Sequence, residues 1–68
     1  MAERLANRLK DRRTELGLTQ AELAEKVGVT RKTVNTVENG VFTPSATLAI
    51  KLAQALAISV EQLFWLER

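Results

Sequence analysis

An all-α domain of five short helices is the fold this sequence predicts, and three kinds of observation predict it. Apolar residues recur at helical spacing in several separate runs, with no sustained alternation typical of a strand. Two capping boxes, Thr19 to Glu22 and Ser59 to Gln62, each announce a helix start. Glycines stand where helices must stop, at Gly17, Gly28 and Gly40, because a left-handed C-terminal residue is cheapest without a Cβ. At 68 residues the chain is expected to form one domain over residues 1–68. A domain of this length buries only about 60% of its unfolded surface, so help from dimerisation is expected.

The first helix is expected over residues 2–16, with Leu5, Leu9 and Leu16 as its buried stripe. Arg13 falls on that stripe, and a buried arginine needs a partner. Gly17 ends the helix, and Leu18 turns toward the core.

Thr19 caps the second helix, which begins at Gln20 and carries Leu23, Ala24 and Val27 at helical spacing. Gly28 closes it, Val29 fills the gap behind the turn, and Thr30 caps a third helix whose apolar residues are Val34 and Val37. Ala24 is small enough to let the two helices approach closely. Two short helices across a tight turn, over residues 20–39, make a helix-turn-helix, the unit whose second helix enters the DNA major groove. With Val34 and Val37 inward, a period of 3.6 turns Lys32, Asn35, Thr36 and Asn39 outward, with Arg31 on the flank. Such a face offers what base edges require: cations for guanine, an amide for adenine, a methyl for thymine. A polar helix face alone is ordinary solvated surface; the full pattern of caps and turn glycine favours the DNA reading.

Ser45 caps a fourth helix over residues 46–57, with Leu48, Leu52, Leu56 and three alanines forming a broad apolar surface and Ile50 at its edge. Phe42 reads as a local core plug in the preceding loop. The fifth helix opens at Ser59, and Leu63 packs inward. Phe64-Trp65-Leu66 is too much apolar bulk for one side of a short terminal helix. Either the segment turns extended and alternates its faces, or it forms a contact surface; a homodimer interface is expected, in one form as a strand paired with its two-fold mate, and repair of a small core within the chain is the alternative.

Composition removes other classes. With no cysteine and no histidine there is no disulfide framework, no zinc site and no nucleophile–base pair, so neither a metal, a cofactor nor an enzyme is expected. No apolar run reaches the length of a membrane span, and a cytoplasmic protein, nucleoid-associated when bound to DNA, is expected. The net charge of +2 decides little. Most basic residues lie in the first half, as suits a nucleic-acid binder.

Residues 9–66 resemble the phage repressor and Cro-type (Xre) helix-turn-helix family. The segment LGLTQAELAEKVGVT, a following helix ending in Glu38-Asn39-Gly40, and the later SVEQLF carry the resemblance. It implies a five-helix lambda-repressor-like domain and a sequence-specific transcriptional regulator, a repressor on a palindromic operator. It implies base contacts by Arg31, Lys32, Asn35 and Thr36. Phosphate contacts are implied for Thr19, Gln20, Thr33, Asn39 and Gly40. A structural ion pair between Arg13 and Glu38 is implied as well, against the alternative that Arg13 reaches a phosphate. Ala57 departs from the family pattern, which most often has glycine there. The family also includes antitoxins, so a protein-interaction module using Phe64 to Leu66 is the competing function.

Overall fold

The computed structural model describes residues 3–68. Five helices are present: α1 (Leu9–Glu15), α2 (Gln20–Val27), α3 (Arg31–Glu38), α4 (Ala46–Ala55) and α5 (Val60–Leu63). Two four-residue strands, β1 (Arg4–Asn7) and β2 (Phe64–Glu67), join the two ends of the chain as an antiparallel ribbon. Its register pairs Arg4 with Glu67, Leu5 with Leu66, Ala6 with Trp65, and Asn7 with Phe64.

The caps act as their residues dictate. Thr19 accepts from the Glu22 N–H while the Glu22 carboxylate accepts from the Thr19 N–H, and Ser59 with Gln62 repeats the arrangement. Thr30 and Ser45 accept from the N–H groups of Thr33 and Leu48. Gly28 takes the left-handed conformation at φ 76° and turns the chain from α2 into α3. The core is built from Leu9, Leu23, Ala24, Val27, Val34, Val37, Leu52, Ala53, Leu56, Leu63 and Phe64. Leu18 and Val29 pack against it, as their positions beside the turns require.

The structure differs from the sequence reading at the first helix and in the loop before α4. The first helix starts at Leu9, not at residue 2, because residues 4–7 pair with β2. The i, i+4 spacing of Leu5 and Leu9 suits a helix, but Leu5 packs against the core from a strand. Leu16 lies past the end of α1 and is largely exposed instead of completing a buried stripe. Phe42 is also exposed rather than plugging the core.

The fourth helix ends at Ala55, two residues early. Ala57 then adopts φ 58°, the left-handed conformation that the missing glycine would take without strain. The turn is held by the N–H groups of Ala57 and Ile58, which donate to the carbonyls of Gln54 and Ala53. Arg12 secures the same turn from outside, its Nε donating to the Leu56 carbonyl at 2.8 Å.

The extended C-terminal segment is a strand, as its apolar run suggests, but it pairs with β1 of its own chain. Phe64 turns into the core at 7% exposure, whereas Trp65 and Leu66 stay exposed at 37% and 61%. Phe64 thus belongs to the core, whereas Trp65 on the opposite face and Leu66 farther along the strand do not.

Candidate nucleic-acid interface

α3 owes its outward face to two buried valines. Val34 and Val37 are almost fully buried against α2, which leaves Arg31, Lys32, Asn35 and Asn39 exposed and Thr36 half-buried. Lys32, Asn35, Thr36 and Asn39 follow at i, i+3, i+4 and i+7, so they line one stripe. Arg31 sits in the first turn and faces the start of α2, where it shares a shallow cleft with Thr19, Gln20 and Ala21.

The charge at the start of α3 is the informative feature. Its first turn holds Arg31 and Lys32 and no acidic residue. A helix N-terminus carries partial positive charge, so cations there are disfavoured by about 0.3–1 kcal/mol. Among the described residues, ion pairs join Arg4 to Glu67, Arg12 to Glu15, Arg13 to Glu38 and Arg68 to Glu3, and neither Arg31 nor Lys32 belongs to one. Two cations held at an unfavourable position suit a site completed by an anion. The first backbone N–H groups of α2, at Gln20 and Ala21, border the same cleft and have no intrahelical acceptor, which adds to its positive character.

Behind this face, Arg13 and Glu38 form a bidentate pair, with Nε 2.6 Å from Oε2 and Nη2 3.3 Å from Oε1. The Arg13 Nη1 also donates to the Leu18 carbonyl at 2.8 Å. The two side chains are 12% and 3% exposed. Gln20 donates to Glu38 Oε1 at 3.0 Å. Glu38 thus ties the last turn of α3 to both α1 and the start of α2. The Gln20 amide nitrogen is thereby engaged within the domain.

Backbone donors of the loop after α3 are used within the chain. The N–H groups of Asn39 and Gly40 donate to Asn35 and Val37, and those of Val41 and Phe42 both donate to Thr36. Gly40 therefore has no backbone donor to offer a phosphate. The Asn39 side chain is occupied as well, donating to the carbonyl and to Oδ1 of Asn35. Thr33 shares a hydrogen bond with Thr30 at 3.0 Å, and the Thr36 hydroxyl donates to the Thr33 carbonyl. Thr19 keeps an exposed hydroxyl that already accepts from Glu22.

Several of the first-half cations are structural. Arg4 binds Glu67, Arg12 caps α4, and Arg8 lies 5.3 Å from the centre of the Trp65 ring. Asn7 is a positioning residue that the sequence reading did not single out. Its Nδ2 donates to the Val37 carbonyl near the end of α3, and its Oδ1 accepts from the Leu9 N–H at the start of α1. An asparagine two residues before a helical run is a recognisable helix-start signal, hidden here by the assumption of a longer helix.

A helix-turn-helix family model matches residues 9–63, which span all five helices. The chain belongs to the Xre-type helix-turn-helix family. Among its relatives is the HTH-type transcriptional regulator YgzD of Bacillus subtilis, 43% identical over 63 residues that cover 93% of this chain and 96% of YgzD. The P22 c2 repressor, solved in complex with a synthetic operator, superposes with a TM-score of 0.77 at 30% identity, over 79% of this chain and 82% of the repressor. The antitoxin HipB of Escherichia coli K12 is 38% identical over 56 residues, 82% of this chain but 64% of HipB. In this helix-turn-helix regulator the two-helix unit lies inside the matched residues, whereas the terminal ribbon of residues 4–7 and 64–67 lies outside them.

Proposed function

We propose that this chain is a sequence-specific double-stranded DNA-binding repressor that acts as a homodimer on a palindromic operator. The observation that supports this most is the exposed stripe on α3, headed by two cations that no carboxylate among the described residues neutralises. In this reading Arg31 and Lys32 enter the major groove first, Asn35 reads a base edge, and Thr36 approaches a methyl or phosphate. Thr19 and Gln20, with the N–H groups opening α2, take a phosphate beside Arg31. Thr33 meets the backbone on the flank. Cytoplasm and nucleoid are the setting that goes with this work.

Dimerisation rests on the ribbon. A two-stranded sheet leaves each strand with an unpaired edge, and such an edge is a template for a further strand. Trp65 and Leu66 are exposed on β2 at that edge. A second copy there would cover both, and a dimer would set two α3 helices in successive major grooves about 34 Å apart. HipB's likeness favours a second reading, an antitoxin whose exposed Trp65 and Leu66 meet a different protein; that role is compatible with DNA binding.

The test is a titration of labelled duplexes with the wild-type chain and with Arg31→Ala and Lys32→Ala variants, folding being checked by circular dichroism. Folded variants that lose most of their affinity support the reading. Variants that bind DNA as tightly as the wild type sink it.

A further inference from the structure

Asn39 holds Asn35 in one orientation. The Asn35 backbone carbonyl can only accept, so the Asn39 atom 3.0 Å from it is the amide nitrogen. The same nitrogen lies 3.0 Å from the Asn35 side chain, so the Asn35 atom facing it is the oxygen. The Asn35 NH2 group is then turned away from Asn39, and Asn35 is exposed. An unrestrained amide rotates and presents oxygen or nitrogen about equally to a base. This one presents its donors, with one oxygen lone pair already engaged.

We propose that Asn39 is a positioning residue that aims the Asn35 amide donor-first into the groove, so that Asn35 selects a keto base, guanine or thymine, at one position of each half-site. Guanine O6 and thymine O4 accept from a donor; cytosine and adenine present an amine at the corresponding place and are disfavoured. The inference rests on the DNA-binding reading above. It replaces the phosphate role expected of Asn39, since a side chain that donates twice within its own helix is held back from the backbone of a ligand.

The experiment selects bound duplexes from a random-sequence pool with the wild-type chain and with Asn39→Ala, Asn35→Ala, the double variant and Asn39→Asp, at two salt concentrations. Asn39→Ala should lose about tenfold of the preference for a keto base at one position per half-site, with the other positions and the salt dependence kept. The double variant should lose no more than Asn35→Ala alone. Asn39→Asp should turn the Asn35 oxygen outward, because a carboxylate accepts from the amide nitrogen, and should move the preference toward cytosine or adenine amines. Uniform weakening of all sites with a shallower salt dependence identifies a phosphate contact and overturns the proposal. So does a keto-base preference untouched by Asn39→Ala. A wild-type chain that enriches no site overturns the DNA-binding reading itself, and is told apart because it fails before any substitution is made.

Discussion

Arg13 and Glu38 meet 25 residues apart through two hydrogen bonds and fix the last turn of the reading helix against α1. The pair is nearly buried, and Gln20 shares its carboxylate. Removing one partner leaves the other charge without compensation. Arg13→Ala and Glu38→Ala are each expected to cost about 3–5 kcal/mol in urea melts. The double variant should cost clearly less than the sum, because neither charge is then stranded. Additive losses would mean that the two side chains do not depend on each other.

Ala57 carries left-handed strain that glycine would relieve. Ala57 is exposed and outside the core cluster, so the substitution removes no core residue. Ala57→Gly should raise stability by up to about 1 kcal/mol, the steric cost being partly offset by the entropy of the glycine in the unfolded chain. A lower urea midpoint would contradict the left-handed turn.

The two neighbours Phe64 and Trp65 should separate stability from association. Phe64→Ala opens the core and should cost about 3–5 kcal/mol. Trp65→Ala should leave the fold largely intact, lose its cation–π contact with Arg8, and weaken self-association measured by sedimentation. A Trp65→Ala protein that associates as strongly as the wild type would remove the ribbon from the interface.

Most of this fold is legible in the sequence because helix ends are written locally. Thr19, Thr30, Ser45 and Ser59 each hold a side-chain oxygen that only a helix start uses in this way, and the second and third helices fall where those residues put them. The terminal ribbon is different. Residues 4–7 and 64–67 are strands because of each other, from opposite ends of the described chain, and the one local signal in Arg4 to Asn7, the helix-start asparagine Asn7, is masked by the helical spacing of Leu5 and Leu9. Likewise the exposed face of α3 follows from Val34 and Val37, but the engagement of Asn39 by Asn35 and of Gln20 by Glu38 depends on side-chain geometry that spacing does not reveal.

Acid should weaken the start of α2. The Thr19 N–H, then the Thr19 hydroxyl, and also the charge of Lys26 hold the Glu22 carboxyl below its ordinary range. A carboxyl with a lowered folded value contributes stability above the ordinary glutamate range and loses it as pH falls through the folded value. Glu22→Gln keeps the capping hydrogen bond without the charge. Urea melts from about pH 6 to about pH 3 should show the wild type's advantage over this variant shrinking on acidification. A gap that stays constant across that range would rule out the charge as its source.

Selection from a random-sequence duplex pool at two salt concentrations shows whether the α3 stripe reads sequence. A palindromic enriched site whose half-sites lie about one helical turn apart, retained at the higher salt, is the expected result. Retention without enrichment, vanishing as salt rises, would contradict it and leave only charge attraction between a basic surface and DNA.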